Sequence, residues 1–215
     1  LIAMVNAVIP FRPTNPKTRL SCILSREERE QFAMSMLEDV VFAISRAGCS
    51  PVILSTTEMN FPGAETVVME LGLNEALNMY LSDIRGPVLI FMSDIPLLTK
   101  ELIKKIISTE KDCAMVPGRG GGTNSIFVRD PQKFHVDFYG ASFVDHMNIA
   151  KEQGLTVEVI DSFRLSTDID EKEDLVEIFL HSEGKSRKYL ESLGISVSIE
   201  KGRVGVHRNP HEEAF

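Results

Sequence analysis

Short runs of apolar and β-branched residues alternate with longer amphipathic stretches, and this alternation limits the fold more than any other feature of the chain. The strand candidates are "AMVNAVI" (3–9), "PVILS" (51–55), "PVLIFM" (87–92) and "CAMVP" (113–117). Between the first two, Ser25-Arg26-Glu27-Glu28 reads as a capping box. Phe32, Met36, Leu37, Val40, Val41 and Ile44 then recur at helical spacing until Gly48 stops the run. A second helix is expected over 72–83, and a third from Thr99 with Leu102, Ile103, Ile106 and Ile107 inward. Strands separated by helices join through right-handed crossovers. The pattern therefore predicts an α/β fold: a Rossmann-like, mostly parallel sheet covered by helices on both faces.

The second half is more mixed. "NSIFV" (124–128) and "LTVEVI" (155–160) read as strands flanking a helix near 141–153, and a further helix is expected from Asp170 to His181. From about Glu183 a short helix leads into "ISVSIEKGRVGV", whose Lys201-Gly202 step reads as a hairpin turn. The expected organisation is one domain over 1–182 with a C-terminal helix and hairpin over 183–215. The hairpin reads either as a contact in a homodimer or as a simple edge.

Composition excludes some partners. A net charge of -8 without any Lys/Arg-rich run argues against nucleic-acid binding, so a polyanionic ligand must be met by local cations. Cys22, Cys49 and Cys113 are odd in number and include no Cys-x-x-Cys pair, which predicts neither a zinc site nor a disulfide framework and suits a reducing cytoplasm. The opening "LIAMVNAVIP" lacks a basic leader, and no apolar stretch reaches the roughly 18 residues of a membrane span, so a soluble protein without membrane contact is expected.

In open α/β sheets ligands lie outside the carboxyl ends of the parallel strands. The run "VLIFM" ends there on Ser93 and Asp94, followed by Pro96. An aspartate at such a strand end suits Mg²⁺, which takes few protein carboxylates and shares phosphate oxygens; the plainer reading is a capped turn. The loop "PFRPTNPKTRLSCILS" (10–25) brings Arg12, Lys17 and Arg19 to the same edge, where they suit a triphosphate, unless the loop is merely solvated. Neither Gly-x-Gly-x-x-Gly nor a Walker-type Gly-Lys-Ser/Thr occurs.

Three further stretches carry candidate groups. In "STDIDEKEDL" (166–175), Asp168 and Asp170 are two apart and share one side of an extended segment, although Asp170 also fits a helix cap. In "GRGGGTNSI" (118–126), Gly121 and Gly122 offer close backbone amides, and Thr123 and Asn124 suit a phosphate or ribose; a plain flexible turn is the alternative. In "FYGASF" (138–143), Gly140 and Ser142 precede a helix, as anion binders or as a cap. His135, His146, His181, His207 and His211 show no metal-ligand spacing and read as surface or core histidines.

Taken in order, "AVIPFRPTNPKTRLSCILS", "SDIPLL", "GRGGGTNSI", "FYGASF" and "STDIDEKEDL" resemble the 2-phospho-L-lactate guanylyltransferase family of deazaflavin coenzyme biosynthesis, within the wider nucleotidyltransferases. The resemblance spans about residues 3–180. It implies transfer of GMP from GTP to the phosphate of 2-phospho-L-lactate, or of phosphoenolpyruvate, with release of pyrophosphate. It further implies that Asp94, Asp168 and Asp170 hold Mg²⁺. Thr123, Gly140 and Ser142 would bind the phosphorylated acceptor, and Lys17 and Arg19 the GTP phosphates. The acceptor phosphate is already an anion, so no general base and no Ser-His-Asp set is required. Competing expectations are a molybdenum-cofactor nucleotidyltransferase, which would carry a glycine-rich first loop instead of this proline-rich one, a metal-dependent glycosyltransferase using Asp-x-Asp, and a non-catalytic nucleotide-binding protein.

Overall fold

The strand order β3-β2-β1-β4-β6-β5-β7 organises the chain in a computed structural model that describes residues 4–209. The strands are β1 (Asn6–Phe11), β2 (Ser50–Ser55), β3 (Glu65–Val68), β4 (Val88–Phe91), β5 (Cys113–Pro117), β6 (Thr123–Val128) and β7 (Val157–Val159). Neighbours pair in parallel except β6, which runs antiparallel to both β4 and β5. The mostly parallel α/β fold expected from the alternation is therefore present.

All four residues of β4 are buried, as a central strand covered on both faces requires. Side-chain alternation divides them between two cores. Ala7, Ile9, Leu89 and Phe91 face α1 (Arg26–Arg46), with a further helix, α3 (Lys100–Ile107), on the same side; Val8, Val88 and Ile90 face α2 (Leu73–Asp83) and α4 (Ser142–Glu152). Helix α1 starts as its sequence dictates. Ser25 Oγ accepts from the Glu28 backbone N–H at 3.2 Å, and the Glu28 carboxylate accepts from the Ser25 N–H at 2.9 Å. It ends at Gly48, whose φ of 83° favours a residue without Cβ.

Several boundaries differ from expectation. β1 begins at Asn6, later than 3–9 implied, and continues through Phe11; Ala3 lies outside the described residues, as does His211. β3 was not legible because its four residues alternate too briefly and the flanking Glu65 and Val68 are exposed. After the short α5 (Phe163–Ser166), the helix expected from Asp170 to His181 starts later, as a 3-10 turn (Lys172–Asp174) leading into α6 (Leu175–His181). The residue flanking the start of this turn is Glu171, whose N–H, like that of Asp170, donates to Asp174 Oδ2, at 2.8 and 2.9 Å respectively. Asp170 is thus free of the capping role.

The C-terminal elements are α7 (Lys185–Ser192) and a hairpin of β8 (Ile195–Glu200) and β9 (Arg203–Arg208), turning at Lys201 and Gly202, both at positive φ. Leu190, Ile195 and Val206 share a core with Phe32 and Met36 of α1. Helix α7 has no side-chain cap of its own. Asp39 of α1 supplies it, accepting from the Lys185 N–H at 2.7 Å, the Ser186 N–H at 3.0 Å and the Ser186 hydroxyl at 2.5 Å. At the far end of the hairpin Ile199 and Val204 stay exposed.

Candidate active site

β1 leads by α1 to β2 on one side, whereas β4 lies on the other, so the carboxyl ends of β1 and β4 form the point where the strand order reverses. A crevice opens there in doubly wound sheets. The long loop after β1 and the loop after β4 meet at this point. Lys17 Nζ lies 2.5 Å from Asp94 Oδ2 and 2.6 Å from Asp170 Oδ1.

The first loop is held in shape rather than merely solvated. Asn15 and Lys17 both take left-handed backbone angles, φ 48° and 53°. Arg29 reaches back from α1 and donates to the Pro16 carbonyl at 2.6 Å and to Asn15 Oδ1 at 3.1 Å, while Glu30 accepts from the Asn15 N–H at 3.0 Å. These contacts turn the Lys17 side chain inward. Arg29 gives no sequence signal, because a helical arginine ordinarily faces solvent.

The acidic segment is fixed from the opposite side. The Ile169 N–H donates to the Asp94 carbonyl at 3.0 Å, and the Ile169 side chain is fully buried. With Ile169 inward, Asp168 and Asp170 stand to the other side, as their two-residue spacing predicted. Arg119 ties the glycine-rich loop to this segment, donating to the Asp168 carbonyl and to Asp174 Oδ1, each at 2.7 Å. Asn124 donates to the Leu165 carbonyl at 3.0 Å and lies 3.5 Å from Asp168 Oδ1. Asn124 is therefore occupied in bracing the acidic segment. Gly118 is required where it is, since a Cβ there would stand 2.4 Å from Asn124 Oδ1.

The charges interact strongly. Burial pulls the Lys17 ammonium down, but Asp94 and Asp170 overcome it and hold its pKa above the ordinary lysine value. Burial pushes the Asp170 carboxyl up, and Lys17 more than reverses this. Asp168 goes the other way: burial, together with the negative charges of Asp94 and Asp170, raises it. In this cluster Lys17 pairs with Asp94 and Asp170, and among the described residues the Asp168 carboxylate has no cation of its own in contact.

A second group lies at the start of β6, on the same sheet edge because that strand runs antiparallel. Thr123 Oγ1 is 2.8 Å from His146 Nδ1 and accepts from Ser142 Oγ at 3.3 Å; the Asp137 N–H donates to His146 Nε2 at 2.9 Å. Ser142 does not cap α4, whose first flanking residue is Ala141. Gly140 is exposed at φ 63°, and Gly121, at φ 95°, adjoins Gly122 at the half-exposed rim of the neighbouring loop. Arg12 and Arg19 are exposed; Arg19 pairs with Glu171 at 3.4 Å, and its charge adds to that of Lys17 in holding the Asp170 carboxyl down. Among the candidate cations, Lys17 is the one in direct contact with the Asp94 and Asp170 carboxylates.

Among the described residues, no group of three or more His, Cys, Asp or Glu side chains is arranged to hold a metal ion outright. Lys17 lies between two of the expected carboxylates. The donor set still suits Mg²⁺, which commonly binds one or two carboxylates and completes its shell with water and phosphate oxygens.

The chain matches the family model described as CofC-like guanylyl transferase over residues 5–209. It is 58% identical over 212 residues to 2-phospho-L-lactate guanylyltransferase of Methanoculleus marisnigri, covering 98% of this chain and 99% of that one. It is 57% identical over 203 residues to the enzyme of the same name from Methanoregula boonei, covering 94% and 95%. Among solved structures, a putative nucleotide-diphospho-sugar transferase from Desulfovibrio desulfuricans G20 superposes with a TM-score of 0.72 at 17% identity, covering 87% and 94%. The 2-C-methyl-D-erythritol 4-phosphate cytidylyltransferase of Thermus thermophilus superposes at 0.52 with 14% identity, covering 81% and 96%. These two share the fold. The sequence relatives and the family match go further: this chain belongs to the CofC-like guanylyl transferase family.

Proposed function

We propose that the chain transfers GMP from GTP to the phosphate of 2-phospho-L-lactate and releases pyrophosphate. The observation that carries this reading is the meeting of Lys17, Asp94 and Asp170 at the reversal point of the sheet, within a chain of this family. Asp94, Asp168 and Asp170 would hold Mg²⁺, and Lys17 and Arg19 would meet the GTP phosphates. Arg12 and the Gly121-Gly122 amides would add contacts to the nucleotide. Thr123, Gly140 and Ser142 would receive the acceptor.

A phosphate oxygen of the acceptor attacks the α-phosphorus of GTP. One P–O bond forms while the bond to the β-phosphate bridging oxygen breaks, and the electron pair leaves with pyrophosphate. The attacking oxygen is already anionic, so the chain need not remove a proton. Bound Mg²⁺ supplies charge neutralisation on the phosphates. The residues then do two things: they bring two anions together, and Lys17 provides positive charge beside the leaving group. Withdrawal of Lys17 from Asp94 toward the triphosphate would exchange one counter-ion for another.

The free, widely spaced cysteines support a reducing, cytoplasmic setting. The exposed Val197, Ile199 and Val204 of the hairpin are the surface we assign to a homodimer, which sedimentation at several concentrations would test. For the reaction itself, the protein is incubated with Mg²⁺, each nucleoside triphosphate in turn, and either 2-phospho-L-lactate or phosphoenolpyruvate. Pyrophosphate release should be greatest with GTP and 2-phospho-L-lactate. No release above background with that pair would sink the reading, and turnover of nucleotide sugars would replace it with glycosyl transfer.

A further inference from the structure

Among the described residues His146 is the fully buried histidine, and guanylyl transfer as proposed leaves it without a task. It follows Ser142 by four residues on α4, so both side chains lie on one face of the helix. Its two nitrogens have distinct roles. The Asp137 backbone N–H donates to Nε2 at 2.9 Å, so Nε2 bears no hydrogen. A neutral ring then carries its hydrogen on Nδ1 and donates it to Thr123 Oγ1 at 2.8 Å. Burial lowers the His146 pKa to about 4, which keeps the ring neutral near pH 7.

Thr123 and Ser142 are also in contact, at 3.3 Å. One hydroxyl hydrogen is used between them, whichever of the two donates. Because histidine already donates into the pair, neither hydroxyl can discharge its hydrogen onto the ring. One O–H is left over, and it requires an acceptor. A pair supplied with a hydrogen from behind is thereby fixed as a net donor toward the sheet edge, the polarity an anionic oxygen needs.

We propose that His146 is a positioning residue of the acceptor site, orienting the Thr123–Ser142 hydroxyl pair to donate to an anionic oxygen of the phosphorylated acceptor. This rests on the guanylyl-transfer reading. The competing role is packing alone: Phe138 meets the ring edge-on at 4.7 Å and Phe134 lies at 6.1 Å, so an aliphatic residue would also fill the space.

The two roles separate in kinetics. With the full chain, Mg²⁺ and GTP, His146→Leu should raise KM for 2-phospho-L-lactate about tenfold, the scale of one impaired hydrogen bond to a charged group, and leave KM for GTP within about twofold. His146→Asn, whose amide can donate in place of Nδ1–H, should recover most of the loss. In a Thr123→Val background, His146→Leu should add little, because the hydroxyl it orients is gone. Equal rises in both KM values, or full additivity with Thr123→Val, would overturn the proposal.

Binding provides an arm independent of turnover. Calorimetry with Mg²⁺, a non-hydrolysable GTP analogue and 2-phospho-L-lactate should show the same loss in His146→Leu. Unchanged binding, or none by the parent protein, overturns the inference. Binding with the predicted loss but no pyrophosphate release would support this inference and refute the transfer reaction. Should His146→Leu fail to fold, ¹⁵N NMR of the parent protein decides the hydrogen's place: an unprotonated Nε2 supports the proposal, and a protonated one overturns it.

Discussion

The backbone N–H of Ile169 donates to the carbonyl of Asp94 at 3.0 Å, joining two segments that are far apart in sequence. This bond fixes the height of the acidic segment against the end of β4. Ile169 itself is anchored in the core with Leu175 and Ile178, so Asp168 and Asp170 are presented by a rigid support instead of a free loop. Ile169→Ala should cost about 2–4 kcal/mol by opening a cavity, and should lower kcat more than its stability loss explains. Denaturant unfolding and pyrophosphate release, compared on the same protein, check this.

Asp94→Asn keeps the shape of the side chain and removes the charge that faces Lys17. Pyrophosphate release should fall by about 10²–10³, the range for loss of one transition-state electrostatic group. The folded state should persist by circular dichroism. A variant within tenfold of the parent rate would remove Asp94 from the catalytic machinery.

Lys17→Met leaves Asp94 and Asp170 facing each other without their shared cation. The side chain is mostly buried, but Asp170 is 42% exposed and screened, so a stability loss of only about 1–2 kcal/mol is expected. The rate should suffer more than the stability. Raising Mg²⁺ should restore part of the stability, because a second cation can enter between the carboxylates; a melting temperature insensitive to Mg²⁺ would argue against that exchange.

His146 makes stability sensitive to acid. Its folded pKa, pulled down to about 4 by burial, lies below the ordinary value of 6.5. The unfolded chain therefore takes up a proton first as pH falls. Stability from this group is complete above pH 6.5 and declines down to about pH 4, by as much as about 3 kcal/mol. In His146→Leu the stability–pH curve should be flatter over this interval.

Asp39 caps a helix to which it does not belong. Asp39→Ala removes the acceptor for the Lys185 and Ser186 N–H groups and should destabilise the protein by about 1–3 kcal/mol. The loss should concentrate in α7 and the hairpin, seen as faster amide exchange there than in β1 or β4. Uniform exchange across the chain would show that the C-terminal elements unfold only with the rest.

The sequence by itself determined most of the elements, the short β3 excepted, and much of their facing. The Ser25–Glu28 capping box, the inward Ile103 and Ile106, the all-buried β4 and the Lys201-Gly202 turn are local, since periodicity and turn chemistry act within a few residues. It also singled out Lys17, Asp94, Asp168, Asp170, Thr123 and Ser142, because polar groups at strand ends and beside glycine loops stand out against an apolar background. What tertiary structure decided was which of them meet. That β6 runs antiparallel, bringing Thr123 to the edge of Asp94, depends on pairing between distant strands. That Lys17 turns inward while Arg12 and Arg19 do not depends on Arg29 and Glu30 gripping the loop. From sequence His146 reads only as a surface or core histidine, since its role comes from Asp137 and Thr123 reaching its two nitrogens. Contacts of this kind are long-range and chosen by packing, and local patterning does not encode them.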